Sequence, residues 1–547
     1  MSPPTFLDYT PVALAFGTSG LRGLVKDITD LEAYINVKGG LAYLLATEDI
    51  RAGSRVVLGG DLRPSSDRIR VAAARAIVDV GCVVENAGKL PTPALVARSL
   101  ATRCAGVMVT GSHIPFDRNG IKINRSVGEI LKSDEPGITR EVERVRAEEY
   151  ARGAAGSAFD ARGSLREGAP LPAVDRAAEE AYVRRYVRGL PRGALSGVRV
   201  VFYQHSAVGR DLLPRILREL GADVVEAGRS ETFVALDTEN VTAEQLARLE
   251  ALAVAAEKDG PPVHAVVSTD GDSDRPLVAA VVPAPEAGPG GRRVRFLPGD
   301  LLGIVVAELL SARAVAVPIS ANDAVERRMR ERGVRLQKTK IGSPYVIAAL
   351  DELRAAGAAT PIVGWEANGG FLVGSDVTLG AEPLAALPTR DSTLPIVANL
   401  VAAARAGVSL ATLWDRLPAR FGASGLLDEV PVAVSRALVA RLVPPGDITE
   451  VDFVAGSPPA AWQDVRAALS RVFTRARGFD TIVRIDVLDG VRIYFAGGDV
   501  AHVRPSGNAP QLRIYANADS QERADRIVAE GLREPDGLLR TLVALVG

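Results

Sequence analysis

The segment from Val107 to Ile123 carries a candidate nucleophile, Ser112, directly followed by His113. The apolar run at 105–109 predicts a buried strand, and the Gly, Pro, Asp and Asn residues after it predict a loop. Ser112 is therefore predicted just past the end of a strand, where open α/β sheets hold their ligands. Lys122 lies on the short strand predicted after this loop. A polar turn, whose Ser and His only satisfy nearby backbone groups, is the alternative interpretation.

Three carboxylates at Asp270, Asp272 and Asp274 alternate with small residues, and Arg275 follows at once. In an extended backbone, a period of two would point all three carboxylates the same way. Such close negative charges repel without a cation, and a hard ion with oxygen ligands, Mg²⁺, suits this set best. An EF-hand is excluded, because Arg275 and Val281 stand where its Gly and Glu are required. Apolar flanks on both sides disfavour a solvated acidic turn.

Two further segments resemble ligand loops. The stretch VGWEANGGFLVG places Glu366 and Asn368 between glycines, where the backbone could approach a small polar ligand closely. The stretch VRPSGNAPQLRIYAN offers a guanidinium, a hydroxyl and backbone N–H groups, which together suit a phosphate. Its candidate residues are Arg504, Ser506, Gly507 and Asn508 in a turn, with Arg513 on the strand that follows. Taken singly, either loop could also be an ordinary Gly-rich connection.

Composition narrows the class of protein. With 547 residues, the chain exceeds one hydrophobic core and predicts about three or four domains. A formal net charge of −1 gives no electrostatic reason to expect a nucleic acid or an anionic membrane as partner. Only two cysteines occur, too few for a disulfide framework, so a reducing cytoplasm is predicted. The N-terminus lacks a signal-peptide pattern, and the strongest apolar run is too short to span a bilayer.

Five segments together resemble a known family, the α-D-phosphohexomutases, which includes phosphomannomutase, phosphoglucomutase and phosphoglucosamine mutase. They follow the family's order over nearly the whole chain: FGTSGLRG at 16–23, TGSHIPFDRNGIK around Ser112, DGDSDR at 270–275, GWEANGG at 364–370 and RPSGNAP at 504–510. The first three are highly specific as a set. Weaker similarities are GGDLRPSS near Arg63, HSAVGRDLL at His205 and TKIGSPY with Lys340.

The resemblance implies roles at the reacting centre. Ser112 would be the phosphoserine that donates its phosphoryl group, and the aspartates of DGDSDR would hold the Mg²⁺ that also touches this phosphate. Lys122 would be a general base or acid, with His113 close enough to share that role. Arg22 would help fix the catalytic loop or the transferring phosphate, and Arg275 would add positive charge.

The resemblance also implies how a phosphosugar substrate is held. Glu366 and Asn368 would bind sugar hydroxyls, and Lys340 would contact the substrate. The phosphate that is not being transferred would be clamped by the loop residues Arg504, Ser506, Gly507 and Asn508, with Arg513. A hexose 1,6-bisphosphate would form, turn over in the site and return its other phosphate to serine. It would therefore act as both intermediate and activator.

The predicted fold class is α/β, with three consecutive α/β domains whose mixed, mostly parallel sheets surround a central cleft, plus a C-terminal α+β domain. Apolar strands alternating with helical stretches support this order, and the Arg- and Ala-rich sequence from 143 to 188 is predicted to be helical. The predicted domains are 1–188 with the serine loop, 189–298 with the metal loop, 299–420 with the sugar loop and 421–547 with the phosphate loop.

We therefore expect a phosphohexomutase that interconverts hexose 6-phosphate and hexose 1-phosphate, with phosphomannomutase first and phosphoglucomutase second. Ser19 stands where phosphoglucosamine mutases usually have Asp, and Asn368 and Gly370 replace the family's common Ser and His. A Mg²⁺-dependent sugar phosphatase and a non-catalytic sugar-phosphate-binding protein are the alternatives from other classes. A serine hydrolase is disfavoured, because the GxSxG elbow is absent. The protein is expected to be a monomer or homodimer.

Overall fold

A computed structural model describes most of the chain, namely residues 6–17, 20–167, 171–258, 260–287, 291–456, 458–506 and 510–546. Cα packing divides it into two compact units, one formed by 1–316 with 342–414 and the other by 317–341 with 415–547. The finer division into four domains stays a prediction. None of the helices that the structure describes is both long and apolar enough to cross a membrane.

The first stretch of chain contains the sheet that carries the candidate nucleophile. Its strands are β1 Ala15–Phe16, β2 Leu21–Leu24, β3 Arg55–Gly60, β4 Val83–Lys89, β5 Ala105–Val109, β6 Arg118–Arg125 and β7 Gly128–Glu129. Its helices are α1 Asp30–Ala46, α2 Ser66–Asp79, α3 Thr92–Thr102, α4 Glu135–Ala151, α5 Gly153–Gly156 and α6 Ala177–Gly189.

This sheet has the order β1-β2-β6-β5-β3-β4, with β7 paired to β6. Strand β3 pairs in parallel with β4 and β5, and the helices between these strands make the crossovers that parallel pairing requires. Strand β6 returns antiparallel to β5, with Met108 opposite Lys122. The loop that joins β5 to β6 therefore lies at the carboxyl end of a buried parallel strand.

Two details of the predicted first domain differ from the structure. The sheet is mixed as predicted, but in its described part the pairs β1·β2, β2·β6, β5·β6 and β6·β7 are antiparallel, so it is not mostly parallel. The stretch 143–188 is not one helical region, since α4 ends at Ala151 and α6 begins at Ala177. Between them Phe159 bridges Leu165, and the glycines and proline of this segment disfavour a continuous helix.

The second stretch forms a five-stranded sheet with the order β12-β11-β10-β8-β9. Its strands are β8 Arg199–His205, β9 Asp223–Arg229, β10 Ala265–Thr269, β11 Pro276–Pro283 and β12 Arg292–Phe296, and its helices are α7 Leu212–Glu219 and α8 Ala243–Glu257. A short 3₁₀ helix spans Pro285–Ala287. Thr269 pairs with Pro276 in the β10–β11 hairpin, so residues 270–275 form the connecting turn.

The third stretch carries the candidate sugar loop. Its strands are β13 Ala314–Pro318, β14 Arg335–Thr339, β15 Ile362–Trp365, β16 Phe371–Val373 and β17 Leu387–Asp391. Its helices are α9 Gly299–Leu309, α10 Asp323–Glu331, α11 Ser343–Ala355, α12 Thr393–Ala406 and α13 Leu410–Trp414. Trp365 pairs with Phe371 across β15 and β16, and Phe371 pairs with Asp391 of β17. Residues 366–370 are therefore a tight connection beside the end of β17.

The last stretch confirms the predicted antiparallel α+β domain, with the sheet order β18-β23-β22-β21-β20-β19. Its strands are β18 Phe421–Leu427, β19 Glu450–Asp452, β20 Ile482–Asp486, β21 Val491–Phe495, β22 Val500–Pro505 and β23 Leu512–Ala518. Its helices are α14 Val432–Leu442, α15 Ala460–Val472, α16 Gln521–Leu532 and α17 Leu538–Val543, with a 3₁₀ turn at Arg475–Arg477. One apolar cluster, including Trp462, Phe479 and Ile493, lies between these helices and the sheet.

Candidate active site

Ser112 lies on the loop between β5 and β6, with its hydroxyl directed at the acidic turn of the second sheet. The side chain is only 1% exposed, and Oγ donates a hydrogen bond of 2.6 Å to Asp270 Oδ2. His113 Nδ1 lies 3.3 Å from the same Oγ. Ser112 has φ of +55°, a strained value for a residue with a Cβ, and such strain is concentrated at functional sites.

Asp61 and Arg63, which follow β3, hold the serine loop in place. The Arg63 guanidinium donates to the carbonyl oxygens of Ser112 at 2.9 Å and Pro115 at 2.6 Å, and also to those of Ile114 and Arg118. Asp61 accepts a hydrogen bond of 2.8 Å from the Thr110 hydroxyl and lies 3.3 Å from Arg63 Nε. Both side chains are fully buried, so the loop is fixed by a network that the weak GGDLRPSS similarity only hinted at.

The acidic turn brings its three carboxylates together by a route that differs from the one predicted. Its backbone is not extended: Asp270 Oδ1 accepts hydrogen bonds from the N–H groups of Asp274 and Arg275, both at 3.2 Å, and Ser273 has φ of +55°. Oxygen atoms of Asp270, Asp272 and Asp274 nevertheless all lie within 4.8 Å of one another. The predicted extended backbone was therefore wrong, although the three carboxylates do converge.

Two oxygens of this turn accept no hydrogen bond from the part of the chain that the structure describes, although Arg275 Nε lies 3.8 Å from one of them, Asp274 Oδ1. Lys122 Nζ lies 2.7 Å from Asp272 Oδ2 and 2.9 Å from Asp274 Oδ2, and the Thr92 hydroxyl donates to Asp272 Oδ2 at 2.6 Å. Oδ1 of Asp272 and Oδ1 of Asp274 are buried and find no hydrogen-bond partner among the described residues. A buried acceptor without a partner costs free energy, and a hard divalent cation would satisfy both. The site therefore fits Mg²⁺.

Close approach of the serine loop to the acidic turn requires Gly271. A Cβ at this position would lie 2.6 Å from the carbonyl oxygen of Ser112, which is closer than any Cβ contact that folded proteins tolerate. The close approach depends on the absence of a side chain at Gly271. The glycine of the DGDSDR motif thus lets a loop of the first sheet and a turn of the second share one site.

Charge interactions in the site shift several pKa values. Burial, and then the charges of the neighbouring aspartates, raise the pKa of Asp270 well above its usual range. Burial alone would lower the pKa of Lys122, but the carboxylates of Asp272 and Asp274 reverse this and raise it. Burial, and then the charge of Arg275, lower the pKa of His113 to about 3. His113 is therefore neutral near pH 7.

Two cationic side chains, Arg22 and Arg275, lie close enough to His113 and Asp274 to influence their charge. Arg22 lies on β2 with Gly120 as its register partner, so it is on the same face of the sheet as Lys122. Burial, followed by the charges of Arg275 and Arg390, lowers the pKa of Arg22 to about 10. Arg275 Nε is buried with no hydrogen-bond partner in the described part of the chain. Mutually repelling cations with unused donors are suited to an anion such as a phosphoryl group.

The candidate sugar loop belongs to the same compact unit and is buried beside β17. Glu366 Oε2 accepts hydrogen bonds from Arg390 Nη1 at 3.1 Å and from Asn368 Nδ2 at 3.5 Å. Asn368 Oδ1 accepts the N–H of Gly370 at 2.9 Å, which closes the turn. Arg390 and Thr92 were missed by sequence reasoning, because each is a single polar residue on or at the end of a regular element, outside any glycine-rich motif.

The candidate phosphate clamp lies in the second compact unit. Asp489 joins two of its segments: Oδ2 accepts the N–H of Ile341 at 3.0 Å, and Oδ1 accepts Arg504 Nε at 3.0 Å. The exposed Lys340, next to Ile341, is thereby held in the same neighbourhood as Arg504. Arg504 is the register partner of Arg513, whose Nε is buried without a partner among the described residues. Facing arginines repel unless an anion lies between them.

The other predicted residues of this phosphate loop are Ser506, Gly507 and Asn508. Ser506 is buried, and its N–H donates to the carbonyl oxygen of Gln511 at 2.9 Å, which closes the turn between β22 and β23. Gly507 and Asn508 lie outside the described residues, as does Ser19 of the first motif. The structure thus groups Lys340, Arg504 and Arg513 in one unit, and Ser112, Lys122 and the three aspartates in the other.

Comparison with known proteins identifies the family. Four family models of phosphoglucomutase/phosphomannomutase match the chain: α/β/α domain I at residues 13–149, domain II at 180–281, domain III at 298–421 and the C-terminal domain at 450–533. A phosphoglucomutase/phosphomannomutase family protein from Burkholderia thailandensis has a similar fold, with a TM-score of 0.65 and 18% identity over 96% of this chain and 97% of that one.

Two curated relatives are similar over nearly their whole length. A phosphomannomutase from Sinorhizobium fredii is 38% identical over 521 residues, which is 94% of this chain and 98% of the relative. A phosphomannomutase from Salmonella muenchen is 37% identical over 94% of both chains. Because the family models cover most of the sequence and the relatives are matched almost end to end, the chain belongs to the phosphoglucomutase/phosphomannomutase family of α-D-phosphohexomutases.

Proposed function

We propose that this phosphohexomutase is a phosphomannomutase, which interconverts mannose 6-phosphate and mannose 1-phosphate through a phosphoserine at Ser112. The observation that carries the proposal is the 2.6 Å contact between the Ser112 hydroxyl and Asp270, beside two buried carboxylate oxygens that accept no hydrogen bond from the described residues. A nucleophilic hydroxyl and a site for a divalent cation are the two parts that phosphoryl transfer needs first. The relatives from Sinorhizobium fredii and Salmonella muenchen favour mannose over glucose.

Transfer from phosphorylated Ser112 exchanges one P–O bond for another. A sugar hydroxyl attacks the phosphorus, the bond from phosphorus to Oγ breaks, and the new sugar–phosphate bond forms in line with it. The neutral His113 can take the hydroxyl proton, and the charged Lys122 can supply the proton that Oγ gains, so that serine is regenerated. Arg22 and Arg275 supply positive charge to the phosphoryl oxygens. Mg²⁺ held by Asp270, Asp272 and Asp274 would add Lewis-acid stabilisation of the same charge.

Substrate binding in the proposal has a part that holds the sugar and a part that holds the phosphate. Glu366 and Asn368 bind hydroxyls of the sugar ring, and Arg275 lies near the reacting phosphate. Lys340, Arg504, Ser506, Gly507, Asn508 and Arg513 hold the second phosphate. The hexose 1,6-bisphosphate made in the first transfer must reorient and return its other phosphate to Ser112, so the same clamp serves both orientations. A small amount of added bisphosphate should therefore activate an enzyme whose serine is not phosphorylated.

Side-by-side kinetics on mannose 1-phosphate and glucose 1-phosphate, both primed with hexose 1,6-bisphosphate and Mg²⁺, test the proposal. We expect a higher kcat/KM for the mannose substrate. A preference for glucose 1-phosphate would make the protein a phosphoglucomutase instead. Release of inorganic phosphate without isomerisation would favour the sugar phosphatase, and binding of either sugar phosphate without turnover would favour the non-catalytic alternative.

The proposal includes a cellular setting and an assembly state. A pair of cysteines, both buried and unpaired, and a near-neutral charge support a cytoplasmic enzyme that acts on small phosphosugars rather than on nucleic acid or membranes. A monomer or homodimer is expected. Light scattering coupled to size-exclusion chromatography gives the mass in solution, and a larger assembly would contradict this part.

A further inference from the structure

Arg390 joins the metal-binding turn to the sugar loop through a single side chain. It lies on β17 and is 2% exposed. Its Nε and Nη2 donate to Asp274 Oδ2 at 3.1 and 2.8 Å, while Nη1 donates to Glu366 Oε2 at 3.1 Å. A planar guanidinium can reach two carboxylates in fixed directions, which a lysine ammonium on a flexible stem cannot reproduce.

The contact with Asp274 decides which oxygen of this carboxylate is available. Two donors of Arg390 and the Nζ of Lys122 all lie on Oδ2. Oδ1 of the same carboxylate is buried and accepts no hydrogen bond from the described residues, with Arg275 Nε 3.8 Å away. Arg390 therefore helps to fix the orientation in which Asp274 keeps Oδ1 available for a cation, in a turn where carboxylate oxygens of Asp272 and Asp274 lie within 4.8 Å of each other.

The contact with Glu366 fixes the sugar loop in the same way. Arg390 occupies Oε2 of Glu366, which Asn368 also approaches. The Ser343 hydroxyl, at the start of α11, lies 3.3 Å from Arg390 Nη1. The guanidinium thus contacts the acidic turn, the sugar loop and α11 at once. A displacement of any one of them would change the contacts that Arg390 makes with the other two.

Residues on both sides of Arg390 in β17 are anchored as well. Thr389 donates to Glu129 at 2.5 Å, and Asp391 accepts the hydroxyl of Tyr182 at 2.7 Å as well as that of Tyr186. The backbone that carries Arg390 is therefore held to β7 on one side and to α6 on the other. Such support is what keeps a buried side chain in one geometry.

Gly370 provides the space that the Arg390 side chain occupies. A Cβ built at this position would lie 2.6 Å from Cγ and from Cδ of Arg390, and 2.8 Å from its Cβ. These atoms are not the free end of a flexible chain, because the guanidinium beyond them is fixed on two carboxylates. A side chain at position 370 is therefore incompatible with Arg390 in this place.

We propose that Arg390 is a positioning residue that couples the Mg²⁺-binding geometry of Asp274 to sugar recognition by Glu366. It acts through these two carboxylates rather than on the reacting atoms. The sugar half of this proposal rests on the proposed phosphomannomutase function, and the metal half does not. Losing Arg390 should therefore weaken both Mg²⁺ binding and substrate binding, whereas losing Glu366 should weaken substrate binding alone.

The test combines R390K, E366Q and the double variant in the full-length enzyme. Calorimetric titration with Mg²⁺ in the absence of sugar should show a Kd raised about 10-fold in R390K, as for other residues that orient metal ligands, and unchanged in E366Q. KM for mannose 1-phosphate should rise in both single variants. In the double variant the two increases should not multiply, because both changes break the same Arg390–Glu366 contact.

The matched control is R144K, an Arg-to-Lys change in an exposed ion pair on α4, which should leave the Mg²⁺ Kd and KM unchanged. A wild-type Mg²⁺ Kd in folded R390K overturns the coupling, and so do fully multiplicative KM effects. If R390K does not fold, G370A provides the test. The added methyl group should displace Arg390, so the Mg²⁺ Kd of G370A should rise about as much as expected for R390K. Absence of mutase activity in the wild type would refute the proposed function, while the sugar-free titration still tests the role of Arg390.

Discussion

At the scale of single residues, the site is a hydroxyl and a set of carboxylates whose capacity to accept hydrogen bonds is only partly used by the described residues. Lys122 and Arg390 both lie on Asp274 Oδ2, yet oxygens of Asp272 and Asp274 remain without partners among the described residues. Burial of an uncompensated carboxylate oxygen is costly, so its persistence in a well-packed interior is best explained by a cation that occupies the site in the working enzyme.

Replacing Ser112 by alanine should abolish turnover while the fold is kept. The hydroxyl is the only group lost, and its removal takes away the phosphoryl carrier, so we expect kcat to fall by at least about 10⁴-fold. A coupled mutase assay measures the rate, and mass spectrometry after incubation with hexose 1,6-bisphosphate should find no phosphoryl group on the variant. Activity close to wild type, or phosphorylation at another residue, would show that Ser112 is not the carrier.

Asp272→Asn should weaken Mg²⁺ binding more than it destabilises the protein. The amide keeps the size of the side chain but removes the negative charge of a proposed metal ligand. Loss of a residue that only orients a metal ligand typically raises the Kd about 10- to 100-fold, and we expect an increase at least as large here. Titration calorimetry gives the Kd and thermal unfolding gives the stability. An unchanged Kd would place the cation elsewhere.

At the scale of elements, the site depends on three turns that return a chain antiparallel to a buried strand. Loops after β5, β10 and β15 carry Ser112, the aspartates and Glu366 respectively, and each is followed by an antiparallel partner strand. The short return keeps every loop compact and close to the end of its own sheet. Arg63 then fixes the serine loop, and Arg390 contacts both of the other turns.

Arg63→Lys should loosen the serine loop without changing the metal site. Lysine keeps the charge next to Asp61 but cannot reach the carbonyl oxygens of Ser112, Pro115 and Arg118 together. We expect kcat to fall by about 10²-fold, the effect of displacing a reacting group by roughly 1 Å. The Mg²⁺ Kd from calorimetry should stay at the wild-type value. Equal losses in Mg²⁺ binding and kcat would indicate a general disruption of the fold instead.

Sequence reasoning located the parts of the site that are local in the chain. Ser112, the three aspartates and Glu366 lie in short glycine-flanked motifs, where residue type and spacing suffice to suggest chemistry. The family and the antiparallel C-terminal domain were predicted correctly from such motifs and from strand patterns. The direction of the strands was predicted less well, because an apolar run shows that a strand is buried but not how its neighbour runs.

Residues that act through tertiary packing could not be predicted in this way. Arg390 is one arginine on an otherwise ordinary strand, and Thr92 begins a helix; each reaches the aspartates only once separate sheets are packed together. The conformation of the acidic turn was also beyond the pattern, since alternation of carboxylates is equally compatible with a strand and with the observed turn. The need for glycine at position 370 also depends on tertiary packing, because the Arg390 side chain occupies the space that a Cβ there would need.

At the scale of the whole molecule, the second compact unit takes in a segment from the middle of the chain, 317–341, together with 415–547. Helix α10 in that segment is tied to the C-terminal sheet by Glu326, which accepts from Arg484 at 2.6 and 3.0 Å and lies 3.2 Å from Lys338. Arg484 also stacks over Tyr494, 3.7 Å from the ring centre. This partly buried network holds together two sequence segments that are far apart in the chain.

The stability of this unit should therefore depend on the charge of Glu326. Burial alone would raise the pKa of Glu326, but hydrogen bonds from Arg484 and the charge of Lys338 lower it from 4.5 to about 2. A depressed carboxyl pKa stabilises the folded state above the unfolded value of 4.5, and this contribution is lost as the pH falls towards 2. At pH 7 we expect E326Q to cost about 2 to 3 kcal/mol of local unfolding free energy.

Hydrogen exchange of peptides from α10 measures that free energy in the wild type and in E326Q at pH 7 and pH 3. The difference in local unfolding free energy between the two proteins should shrink at the lower pH. Protonation of Glu326 in the wild type removes the negative charge that the substitution has already removed in the variant. E331Q is the matched control: Glu331 is on the same helix and is more than half exposed in its contact with Arg328, so its effect should stay within about 0.5 kcal/mol. A difference for E326Q that is independent of pH would mean that Glu326 stabilises α10 by packing rather than by charge, and the link between the two segments would then have to come from other contacts, such as those of Arg420 with Asp323 and of Arg492 with the carbonyl oxygen of Ile319.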